Sequence, residues 1–197
     1  MEESGENPTF RWLMIFGIIG PIVAIGFVII DILVSPWYSW SKNALSDLGV
    51  HPYSFLFNGG LLFEAATNVL FVIGLKKLRL ASTPVSVMLI VSGLALGLVG
   101  IFNEHHEPFH LIFALIYFIL FPIGIIIFSS TKMTSGKGYI RPVGVLLAII
   151  GLAFIIVGIL EDFNTISTGL GLGFYEFVEA VMIGIWPIYT GAVFFRK

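Results

Sequence analysis

Apolar stretches long enough to cross a bilayer alternate with short connections that are, in strict turn, rich in Lys and Arg or nearly empty of them. Arg11, then Lys76, Lys77 and Arg79, then Lys132, Lys137 and Arg141, and finally Arg196 and Lys197 make one set, nine of the ten basic residues. Lys42 alone falls in the other set, with all four histidines: His51, His105, His106 and His110. Cytoplasmic loops retain positive charge, so this alternation predicts the number of spans and their direction. The reading is a multi-pass cell-membrane protein with both termini and loops 76–83 and 130–140 cytoplasmic. Loops 35–54, 104–107 and 161–173 then make an extracytoplasmic face rich in His and carboxylates.

A mean hydropathy of +1.01 with 11% charged residues excludes an ordinary soluble domain. Runs of about twenty apolar residues are what a hydrocarbon slab of about 30 Å requires. Six helices are predicted, over roughly 12–34, 55–75, 84–103, 108–129, 141–160 and 174–195. The fold class is therefore all-α: a six-helix transmembrane bundle, one domain over 1–197, with 1–11 as a mobile cytoplasmic tail. The first span is too long for a cleaved signal, follows Glu2, Glu3 and Glu6, and lacks a small-residue cleavage site. Zero Cys excludes disulfides, thiolate metal sites and cysteine nucleophiles. Gly93 and Gly97 on span three, and Gly144, Gly151 and Gly158 on span five, recur at helical spacing. Small residues of this kind let helix backbones approach closely in lipid. No internal repeat is visible, so an inverted-repeat transporter draws no support from the sequence.

Glu64 is the costliest residue of the chain. It lies about ten residues into span two, roughly 15 Å deep at 1.5 Å per residue, where a carboxylate must be paired, hydrated or protonated. Gly60, Glu64, Thr67 and Asn68 share one face. Two readings stand side by side: the acidic floor of a water-filled cavity, and a protonated Glu donating a hydrogen bond between helices.

The run Asn103-Glu104-His105-His106-Glu107-Pro108-Phe109-His110 is the densest group of metal-ligand side chains. His106 and His110 are four apart, the spacing with which two imidazoles on a helix meet one zinc ion. Pro108 disfavours helix at Glu107, which places His106 ahead of the helix, Glu107 at its cap and His110 on its first turn. Neutral His with carboxylates is the ligand mix for zinc or a similar divalent ion. The candidate metal ligands are therefore His106, His110, Glu107, Glu104, Glu161 and Glu176; the alternative is a solvated interfacial loop.

Glu176 and Glu179 share a face at the expected start of span six, where the helix dipole favours negative charge and suffices to explain both. Asp31 and the Glu161-Asp162 pair sit at the same level. The Gly169-x-Gly171-x-Gly173 run follows no strand, has no accompanying Lys, and reads as a flexible connector. In the first outer loop Ser46 and Asp47 make a candidate nucleophile and hydrogen-bonding pair, with Glu64 as a candidate acid or base. The plainer reading of that loop is a short interfacial helix stopped by Gly49.

Ser46-Asp47-Leu48-Gly49, Phe57-Asn58-Gly59-Gly60-Leu61, Gly100-Ile101-Phe102-Asn103-Glu104 leading to His110, and Gly158-x-x-Glu161 also occur in this order. Taken together, the chain resembles the prokaryotic six-helix membrane family catalogued as domain of unknown function 998. Where that family often has proline before the glutamate after span three, this chain has Asn103. The resemblance implies the fold and brings no activity. The first-loop motif is also similar to one in the Frag1/DRAM/Sfk1 group, which implies a link to lipids.

Three functions follow as expectations. The first is an outward-facing His/carboxylate site, holding a divalent metal such as zinc, in a hydrolase or modifying enzyme acting on lipids or lipid-linked molecules. The second is a proton-coupled transporter or ion-binding protein using Glu64. The third is a non-catalytic lipid-binding scaffold. Membrane lipids are the expected partners; nucleic acid is not, because topology explains the short basic loops.

Overall fold

The computed structural model describes residues 8–131 and 140–195, all helix and connecting loop with no strand among them. Lys132, Lys137, Arg196 and Lys197 lie outside the described residues, as does the expected tail over 1–7. The tail was expected to extend to residue 11, but a 3-10 helix begins at Pro8 and runs to Ile15, packing on the second and sixth spans. Leu13 and Met14 are buried there.

The six spans are α1 (Phe16–Val34), α2 (Ser54–Lys77), α3 (Thr83–Ile101), α4 (Phe109–Ser130), α5 (Ile140–Asp162) and α6 (Leu172–Phe195). Each is long and apolar enough to cross a membrane. Every helix packs on the next in sequence, and α6 closes back onto α1, so the spans form a ring. Large aliphatic side chains such as Leu33, Leu146 and Ile149 point outward, while Gly, Ala and polar groups supply much of the interior. Lipid offers no hydrophobic pull between helices, and close backbone packing holds such a bundle instead.

The α5–α6 seam shows this residue by residue. A Cβ at Gly144 would meet Ser129 Oγ and the Trp186 ring, one at Gly151 would stand 3.0 Å from Ile183 Cγ2, and one at Gly158 would stand 2.7 Å from Tyr175 Cβ. The seventh-residue spacing thus gives α6 three seats in register. At the basic end, Arg141 donates to the carbonyls of Ser129 (3.1 Å), Ser130 (3.2 Å) and Thr131 (2.7 Å), satisfying the end of α4.

At the acidic end the chain is more tightly tied than its sequence suggests. The short helix expected near 38–49 is a 3-10 helix over Ser46–Val50. Gly49 lies within it, and its carbonyl accepts from Asn58 Nδ2 at 2.9 Å and Asn103 Nδ2 at 3.3 Å. The glycine run before α6 is a docking strip. Gly171, at φ +81°, lies against the backbone of Trp40 and Ser41, and Gly173 donates its N–H to the Asn43 carbonyl at 3.1 Å. A side chain at either glycine would push the two loops apart.

Candidate functional site

The ring encloses a cavity. Leu45, Ser46 and Glu176 line it at the acidic end, and Glu64 lies deeper, with Phe57, Leu61, Val99 and Tyr117 among the walls. The cavity volume is about 80 Å³. A single water needs about 10–15 Å³, so several fit. The lining comes from α1, α2, α3, α4, α6 and the first loop; α5 contributes none of it.

Glu64 sits near the middle of the 24-residue α2 and is only 8% exposed. Its Oε2 packs against α1 at Gly20, where a Cβ would collide with it. The neighbouring Thr67 hydroxyl donates to the carbonyls of Phe63 (2.9 Å) and Glu64 (3.0 Å). Glu64 Oε2 is left buried without a hydrogen-bond partner. An unmet buried oxygen of this kind costs about 1–3 kcal/mol.

His110 and Glu176 join Glu64 on the same cavity. His110, on the first turn of α4 as expected, is buried, with Nδ1 2.9 Å from the Phe102 carbonyl. A carbonyl can only accept, so Nδ1 carries a proton. Glu176 is buried, and its Oε2 accepts the Leu45 N–H at 2.6 Å, tying the first loop to α6.

Above the cavity, Ser46 Oγ donates to Glu104 Oε1 at 2.5 Å, and Asn43 Nδ2 donates to Asp47 Oδ2 at 2.8 Å. Burial first, and then the hydrogen-bonded Asp47 carboxyl beside it, raise the Glu104 carboxyl above its ordinary range, partly offset by Ser46 and His110. The Tyr38 hydroxyl is buried without a partner; burial first, and then Glu176 and Asp47, push it up as well. Ser46, Asp47, Glu104, His110 and Glu176 are thus one constellation, assembled from loops and helices far apart in sequence.

The other expected ligands lie elsewhere. His106 is exposed, its Nδ1 3.0 Å from Asn103 Oδ1 in the 3-10 turn Glu104–His106, so it does not share a helical face with His110. Glu107 is exposed, capping Leu111 N–H at 3.4 Å. Glu161 organises the α5–α6 connection, accepting from the N–H groups of Thr168 (3.2 Å) and Gly169 (2.8 Å) and the Thr168 hydroxyl (2.5 Å). Among the described residues no group of three or more His, Asp or Glu is arranged to hold a metal ion.

Sequence reasoning misjudged one group, Glu179, and missed another, Tyr117. Glu179 is fully buried, and neither carboxylate oxygen has a hydrogen-bond partner. Because α6 begins at Leu172, Glu179 sits two turns inside, beyond the interfacial turn where a dipole argument holds. Tyr117, buried on α4, lies within electrostatic range of both Glu64 and Glu179 and lines the cavity. A tyrosine inside an apolar run gives little signal. Glu179, by contrast, lies on the same face as Glu176, Ile183, Trp186 and Thr190, and that 3-4 spacing could have placed it inward.

These features define a polytopic helical membrane protein with a largely apolar cavity at its core, into which Glu64 and Glu176 project. The chain belongs to the family described as protein of unknown function (DUF998), whose pattern matches residues 18–193. No curated protein and no solved structure matches the chain.

Proposed function

We propose that this protein is a proton-coupled transporter working through Glu64. One observation carries the reading: a mid-membrane carboxylate, with one oxygen unpartnered, forms part of a cavity that continues to His110, Ser46 and Glu176 at the acidic end. Intramembrane acids facing a cavity mark ion and proton pathways. The charge asymmetry of the loops supports a cell-membrane orientation with the acidic end extracytoplasmic, which makes the cavity outward-facing. Dicyclohexylcarbodiimide, an apolar reagent that modifies carboxyls through their protonated form, tests the site. It should label Glu64 in membranes, more slowly as pH rises, and the labelled peptide should vanish in Glu64→Gln. Failure to label Glu64 would discard the reading.

An enzyme acting on lipids or lipid-linked molecules is the second reading, favoured by Ser46 bonded to Glu104 beside His110 on the cavity wall. Ser46→Ala and His110→Ala should each abolish hydrolysis of a lipid substrate while the protein folds normally. Hydrolysis that survives both changes would remove this reading.

A further inference from the structure

We infer that the cavity binds a small organic cation: a protonated or quaternary amine carrying an apolar body, held between Glu64 and the aromatic walls. The inference rests on the reading of Glu64 as a working carboxylate and adds the chemistry of what it meets.

The first line of argument is charge. The ionisable side chains on the cavity wall are Glu64, Glu176, His110 and Tyr117; among the described residues no Lys or Arg lines it. Glu176 commits one oxygen to the Leu45 N–H, a fixed structural tie. Glu64 has no such tie at Oε2. A carboxylate held in a low-dielectric interior is compensated by a cation or by a proton, and this wall supplies neither Lys nor Arg.

The second line is the character of the remaining wall. Phe57, Tyr117, Phe118 and Phe177 bring four aromatic rings to the same space. Ring faces attract cations, most strongly where both are desolvated, and quaternary ammonium groups are recognised by such enclosures. A hydrated inorganic ion would instead want several oxygen ligands, and no group of three or more His, Asp or Glu is arranged to provide them among the described residues. A neutral lipid tail would leave Glu64 unmet. An apolar body with one positive charge answers both features.

The consequence for mechanism is direct. A cation and a proton compensate the same carboxylate, so binding of one displaces the other. That competition is the elementary step of proton–cation exchange.

The test uses the full chain in detergent and tritiated benzyltrimethylammonium, with its uncharged isostere neopentylbenzene, in which carbon replaces nitrogen. Saturable binding of the cation is expected, weakened about tenfold or more in Glu64→Gln and kept in Glu161→Gln, with the neutral isostere competing about tenfold less well. Absence of saturable binding, equal binding by Glu64→Gln, or equal competition by the isostere would overturn the inference. Should Glu64→Gln fail to fold, the wild type decides. The cation must protect Glu64 from carbodiimide, and unprotected labelling would overturn the cation while leaving the protonatable site standing.

Discussion

Glu179→Met should make this protein more stable. The side chain is fully buried, with two oxygens that find no donor, against α5 at Gly151, whose added Cβ would stand 3.4 Å from Glu179 Cγ. Each unmet buried polar atom costs about 1–3 kcal/mol, and a thioether of similar length fills the same volume without that cost. Allowing for imperfect packing of the new tip, the net gain is about 2 kcal/mol. For a domain of this size that raises Tm by about 4–8 °C. The assay is thermal unfolding of purified protein in detergent, followed by tryptophan fluorescence, with Glu179→Gln beside it. Gln keeps unmet polar atoms at the same place and should melt within about 2 °C of the wild type. A Met variant that melts below the wild type would refute the reasoning, since it would mean that the carboxyl makes contacts that hold α4, α5 and α6 together.

Three further outcomes are expected. Gly144→Val should cost about 1–3 kcal/mol, read as a lowered Tm, because its branches enter the space held by Ser129 and the fully buried Trp186. Asn103→Ala removes the tie to the Gly49 carbonyl and the cap on the His105 N–H, both at 3.3 Å, and should cost about 1–2 kcal/mol while speeding proteolysis at the acidic end. Glu104 binds its proton more tightly folded than unfolded, so its contribution is complete below the ordinary value of 4.5 and is lost as pH rises through the raised value. Wild-type Tm should therefore carry a downward component with rising pH above about 4.5 that Glu104→Gln lacks, and parallel Tm–pH curves would contradict the assignment.

The spans were legible because lipid imposes length and hydropathy on each one, and because the alternation of basic and acidic loops fixes their count. Glu64 was legible for the same reason: one acid in the middle of an apolar run is conspicuous. Glu179 was misjudged because the start of α6 was placed at residue 174 and an acid near a helix start looks like a response to the dipole. What moves that start to Leu172 is the docking of Gly171 and Gly173 on the first loop, a contact between segments about 130 residues apart. Sequence separations of 131 and 58 residues likewise hide the Leu45–Glu176 and Ser46–Glu104 bonds. Pro108 told against a shared helical face for His106 and His110, and α4 does begin between them, at Phe109.

The depth of Glu64 has an electrical meaning. A unit charge crossing the whole membrane exchanges about 2.3 kcal/mol with each 100 mV of potential, so a proton or cation arriving halfway exchanges about 1 kcal/mol. That is a factor of roughly five in occupancy, gained or lost according to the sign of the voltage. Glu64, at the eleventh position of a 24-residue span, is placed to feel that field. In a living membrane, the fraction of cavities holding a positive charge would follow the voltage as well as the concentrations on either side.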